Sequence, residues 1–364
     1  MPNFLLKRGK KEKLVMDVSS TGIRVAKVVL DNEVPFLKSA WVQAWNHRLA
    51  LSEEDFANHL NKMVKDLANQ FPAKQHSVVF MCSDGSNTQK FVQTANISDE
   101  DELEEFLISK KHYLDIEEYL SDNVVIGDSI SEVKKTQDIL VRSVSKNIAQ
   151  TTMDALEKSG YELEGLEYVG NALDAVYSLW YPDSGLEQEM LMHVAEEGVY
   201  LNFYRSGVLR FGYTINLNQI AFIDTLVEKG HMERDRSRKL MMGDFFSSFY
   251  EGENLLSLPP ELLLEFKALM EWFETEVKRA VSFYLCRVLE WHAPSLHRII
   301  LTGQETRSNG FVEKMRAIFQ CPVEVFSLYD NLGVVPDLKA RMAWEEWGSQ
   351  MQIVSFLGTR YMED

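Results

Sequence analysis

The sequence predicts an α/β protein of two lobes, and three observations carry that prediction. Residues 13–25 read as a strand, a polar turn and a second strand. The pattern returns without a gap at residues 191–201, pairing Met16 with Met192, Val18 with Val194 and Gly22 with Gly198. Residues 298–326 then read as strand, glycine-bearing loop, helix and strand, the unit of a partly parallel sheet.

In the first block, Leu14-Val15-Met16-Asp17-Val18 is an apolar strand and Ser19-Ser20-Thr21-Gly22 a tight turn. A third strand candidate spans 36–44. The downstream copy has its own third strand at 209–215, after a turn at Ser206-Gly207. Glycine tolerates positive φ, which gives its recurrence at one turn position a backbone reason. Both copies open a strand-rich block that gives way to helices, as a duplicated α/β lobe requires.

Between the copies, Phe56, Leu60, Met63, Leu67 and Phe71 recur at helical spacing, with Ser52 as N-cap and Asp55 three residues on. Residues 78–82 form a compact apolar strand, and Ser98 opens an acidic helix whose carboxylates suit a helix N-terminus or a solvated face. An extended stretch at 139–143, a short helix at 151–158 and an apolar helix at 170–180 follow. From 260 to about 292 an apolar stripe runs through Phe266, Met270, Phe273, Val277, Val281 and Tyr284. That is long for a globular helix, so a break within it is expected.

The 364-residue chain carries a formal charge of −17, which repels phosphate backbones and argues against nucleic-acid binding. Lys7, Arg8, Lys10, Lys11 and Lys13 form a local exception that suits either an anionic membrane surface or a frayed terminus. No apolar run is long enough to cross a bilayer as a helix. Cys82, Cys286 and Cys321 are few and lack metal spacing, which fits a reducing cytoplasm. The histidines are scattered, and no hydrolase or metalloprotease motif occurs. On an apolar strand, His193 reads as a packed histidine rather than a base.

The glycine-bearing hairpin, its copy and the strand ending Leu301-Thr302-Gly303 together resemble the actin, DnaK and sugar-kinase superfamily. Within it the chain is most similar to the PilM family of type IV pilus assembly. Phe4-Leu5-Leu6-Lys7 resembles the family's N-terminus, and residues 354–360 resemble its closing Gly-Leu-Ala-Leu-Arg segment. The resemblance implies a two-lobed actin-like ATPase fold of the ribonuclease H-like type, with an inserted small α+β subdomain. It places the first lobe at 1–93 with 164–187 and 346–364, and the insertion at 94–163. The second lobe falls at 188–217 and 292–345, with its helical subdomain at 218–291.

Family members that grip ATP present glycine-rich backbone to the phosphates and a carboxylate to Mg²⁺. Transferred to this chain, the nucleotide-facing residues are Asp17, Ser19, Ser20, Thr21, Gly22, Gly198, Gly303 and Gln304, with Asp17 toward the metal. Four elements depart from the family pattern. Ser19 stands where Asp-Ile-Gly-Ser-Ser has glycine, and His193-Val194-Ala195 replaces Asp-x-Gly. Leu301-Thr302-Gly303-Gln304-Glu305 replaces Leu-Thr-Gly-Gly-Gly, and Ser237-Arg238-Lys239-Leu240-Met241 replaces Ala-Glu-x-x-Lys. Losing one electrostatic stabiliser costs roughly 10²–10³ in rate, so hydrolysis is expected to be weak or absent and Mg²⁺ with ATP to bind weakly if at all.

The resemblance further implies a cytoplasmic platform, peripheral at the inner membrane, that receives the N-terminal tail of a bitopic PilN-like partner between 87–94 and 160–175. It also allows self-association. The alternative is an active ATPase or small-molecule kinase of the same superfamily. A third reading is a related type II secretion component, which continues into a membrane helix where this chain stops at Asp364.

Overall fold

The structure of the protein, a computed structural model, describes residues 12–19, 22–31, 34–44, 52–83, 87–113, 115–128, 136–182, 184–195, 198–217, 219–240, 259–289, 295–303, 309–326, 333–334, 351 and 353–358. Two compact units form: Met1–Asp84 with Ser145–Leu179 and Ser327–Asp364, and Gly85–Val144 with Trp180–Phe326.

The first unit is built on one sheet. Strands β1 (Glu12–Ser19), β2 (Gly22–Asp31) and β3 (Val34–Ala44) form an antiparallel meander. Strand β4 (Ser77–Ser83) joins β1 in parallel, and β8 (Glu162–Glu167) joins β4 in parallel. Across the sheet, β14 (Gly333–Val334) pairs with β3. Strand β4 is buried at every position, as its unbroken apolar run Val78-Val79-Phe80-Met81-Cys82 demands of a strand covered on both faces. Helix α1 (Glu53–Gln70) buries Phe56, Leu60, Met63, Val64 and Leu67, and the Ser52 hydroxyl accepts from the Asp55 N–H at 3.1 Å. Helices α3 (Lys146–Lys158) and α4 (Val169–Trp180) belong to the same region of sequence, and α3 packs on α1.

The second unit repeats the plan. Strands β9 (Glu189–Val194), β10 (Gly198–Arg205) and β11 (Val208–Asn216) form the meander, and β12 (Arg298–Gly303) and β13 (Val323–Val325) extend it in parallel from β9. In both sheets the meander's first strand takes a long parallel partner, β4 or β12, so the sequence repeat is a topological repeat. Helices α5 (Gln219–Glu228) and α7 (Pro260–Phe283) share one core with this sheet, around Met192, Phe203, Phe266, Phe273 and Tyr284. A short helix α6 (Arg234–Lys239) lies between them, and α8 (Asn309–Phe319) connects β12 to β13. The expected break in the long helix is a π turn at Tyr284–Val288, where the Tyr284 hydroxyl donates to Gln188 Oε1 at 2.8 Å.

A three-stranded sheet belongs to the second unit as well. Its order is β5 (Thr88–Ala95), β7 (Thr136–Ser145) and β6 (Tyr119–Asp128), backed by α2 (Glu100–Ser109) over Val92, Leu103, Leu107, Ile139 and Val141. Arg210 of β11 fastens it, donating to the carbonyls of Ile126 and Asp128 and lying 3.5 Å from Asp138. Gly127, at φ +128°, leaves room for that guanidinium: a Cβ there would fall 2.6 Å from it.

The two units take up the expected segments as follows. Of the segment 94–163, α3 and the start of β8 join the first unit, while α2, β6 and most of β7 join the second. Residues 333–334, expected in the second lobe, pair with β3 of the first sheet. The described residues of 218–291 share the second sheet's core. No described helix is long and apolar enough to cross a membrane.

Candidate functional site

The hairpin β1–β2 brings Asp17 opposite Arg24 in the antiparallel register. Both are buried, Asp17 completely. Arg24 Nη1 donates to Asp17 Oδ2 at 2.9 Å, and the Ser83 backbone N–H, from the end of β4, donates to Oδ1 at 3.2 Å. Both carboxylate oxygens are therefore engaged inside the sheet. Burial holds the Asp17 carboxyl above the ordinary carboxylate range, opposed by the Arg24 charge and the Ser83 donor. The Ser19 hydroxyl donates to the Gly22 carbonyl at 3.1 Å and so closes the hairpin locally. Ser20, Thr21 and Gln304 lie outside the described residues, as do Glu196, Glu197 and the basic residues ahead of Glu12.

Gly22 and Gly198 occupy matching places, but for a reason other than the one expected. Neither has positive φ. Instead, a neighbouring strand runs too close for a side chain: a Cβ would stand 2.5 Å from the Gln43 carbonyl oxygen at Gly22 and 2.7 Å from that of Ile215 at Gly198. The glycines recur because each meander packs its third strand against the start of its second.

In the second unit, His193 takes the position of Asp17 and Tyr200 that of Arg24, again opposite each other in register. Their rings lie 6.5 Å apart. His193 is buried, its Nδ1 has no partner among the described residues, and burial alone pushes its pKa down to about 3. It is a neutral, packed histidine at neutral pH. Beside it, Thr302 and Gly303 of β12 face His193 and Val194 in the parallel register. Gly303 adopts φ +103°, and a Cβ there would stand 2.1 Å from the Val194 carbonyl oxygen. Two structural demands thus fix this glycine without any ligand.

Arg24 and Ser83 were not singled out by sequence reasoning. The first had a signal: counting outward from the turn, with Val18 opposite Ile23, puts Arg24 opposite Asp17. Ser83 had none, because the parallel pairing of β1 with β4 is non-local.

Comparison with solved structures places the fold. The chain is similar to one in the PilM–PilN type IV pilus biogenesis complex, with a TM-score of 0.71 at 14% identity over 97% of this chain and 99% of that one. Lesser similarity extends to a protein of actin-like ATPase fold and unknown function from Bacteroides thetaiotaomicron, with a TM-score of 0.47 at 11% identity over 93% and 98% of the two chains. MreB5 of Spiroplasma citri bound to AMPPNP scores 0.45 at 10% identity, over 94% and 98%. No protein-family model and no curated protein matches the sequence. The chain has the actin-like fold that its repeat and loops predicted.

That fold implies ATP with Mg²⁺, and the described residues do not fit the pair. Mg²⁺ takes oxygen ligands at about 2.0–2.1 Å in near-octahedral array. Here the one carboxylate expected to face it is committed to a guanidinium and a backbone N–H. Its counterpart is a neutral histidine. Among the described residues, no three His, Cys, Asp or Glu side chains converge on one point.

Proposed function

We propose that the chain is a PilM-like platform protein of a type IV pilus or related secretion assembly. It works in the cytoplasm against the inner membrane and hydrolyses ATP weakly or not at all. The observation that carries this reading is the Asp17–Arg24 ion pair within an actin-like fold. A lobe that keeps its sheet intact but commits its key carboxylate internally serves better as a scaffold than as a catalyst.

The partner proposed is a bitopic membrane protein like PilN, whose extended N-terminal tail is received at the sheet edge of the first unit, within residues 160–175. Sheet edges support that mode. Strand β8 ends the first sheet, and no described strand pairs with its outer side. An extended peptide gains affinity from main-chain hydrogen bonds at such an edge and specificity from alternate side-chain pockets. Half-buried Leu163 and Leu166 on β8 supply apolar surface there.

A fluorescent peptide copying the cytoplasmic tail of the membrane protein encoded beside this chain tests the reading. Saturable binding with a micromolar-range Kd is expected, equal in EDTA and in Mg²⁺ with ATP. Binding that requires nucleotide, or no binding, rejects the platform.

A further inference from the structure

We infer that Arg24 is a built-in cation that takes over the charge-neutralising role of a divalent metal at Asp17, so that the first unit is complete without metal. This deepens the proposed platform and rests on its reading of the chain as nucleotide-independent.

A carboxylate with no exposure to water is costly unless a cation and hydrogen bonds compensate it. A metal can supply that cation, and so can a guanidinium, which stays charged at every accessible pH. In this hairpin Arg24 sits 2.9 Å from Oδ2, and the Ser83 N–H takes Oδ1. A divalent ion at the same oxygens would displace these donors and stand against a like charge.

The repeat supplies an independent line. At the matching places of the second unit stand a neutral His193 and Tyr200, opposite each other in register. Carboxylate and guanidinium are thus present together in one copy and absent together in the other. That is the pattern of a charge and its dedicated counter-ion.

The test melts the purified full chain in EDTA and in excess MnCl₂, as wild type, Arg24→Gln, Asp17→Asn and the double variant. Wild type is expected to melt within about 1 °C in both buffers, since a ligand that does not bind cannot stabilise. Arg24→Gln is expected to melt roughly 10 °C lower in EDTA, because it strands a buried charge. Mn²⁺ should restore several degrees to Arg24→Gln, and the double variant should melt above either single one. The inference is overturned if Mn²⁺ stabilises wild type in a way that Asp17→Asn abolishes. It also falls if Mn²⁺ leaves Arg24→Gln unchanged, or if the double variant is no better than the worse single. Should Arg24→Gln not fold, the wild-type titration and the double variant still decide. Tail-peptide binding, measured on the same wild-type sample, separates the two ideas: its absence with an unshifted melt removes the platform and leaves Arg24 in its role.

Discussion

Gly303→Ala is expected to destabilise the second unit by about 4 kcal/mol or more, an exceptional cost for a single methyl. Two effects add. The residue sits at φ +103°, where an L side chain is strained by about 1–3 kcal/mol. The new Cβ would also fall 2.1 Å from the Val194 carbonyl oxygen and 2.8 Å from the Val194 nitrogen. Those are backbone atoms of β9, a central strand held on one side by β10 and on the other by β12, so the obstacle has nowhere to go. Gly207→Ala is the control. Gly207 has φ +83° but nothing within 4 Å of a Cβ, so it should show the conformational cost alone. Urea unfolding of both variants, without nucleotide, measures the difference; equal losses would show that the β9–β12 contact relaxes.

The second large effect is a pH dependence. Protonating His193 in its buried site is unfavourable, so its folded pKa of about 3 lies below the ordinary value of 6.5. The unfolded chain therefore binds the proton more readily. The stability tied to this residue is fully present above pH 6.5 and is lost as pH falls from 6.5 toward 3. Linkage puts the loss at about 2 kcal/mol by pH 5. Asp17 acts in the opposite sense in the other unit: burial raises its carboxyl, so that group favours the fold as pH falls. Comparison with His193→Gln isolates the histidine. The urea midpoint of wild type should fall more steeply than that of His193→Gln between pH 7.5 and 5, and parallel curves would contradict a buried neutral ring.

The two sheets were legible because the repeat is written locally. Each meander is a run of neighbouring strands, and Met16 and Met192 align without a gap. Helix α1 was legible from its cap and stripe. Non-local pairing was not. Strand β8 joins β4 across the whole small sheet, and β14 is only two residues long, so neither advertises its partner. The small sheet's place in the second unit rests on non-local contacts, Phe91 against Phe211 and Phe283 and Arg210 meeting carbonyls of β6 across a glycine, which no periodicity reveals. At the candidate site the departures from the family's loops were readable residue by residue. What the loops conceal is the compensation, since Arg24 looks like an ordinary strand arginine until the hairpin register sets it against Asp17.

The reading proposed for the first unit is that Asp17 serves Arg24 rather than a metal-bound nucleotide. Isothermal titration of ATP with Mg²⁺ into the purified chain tests it most directly. The prediction is heat no greater than dilution up to millimolar nucleotide, alike for wild type and Asp17→Asn. Saturable binding near one equivalent that Asp17→Asn removes would contradict it.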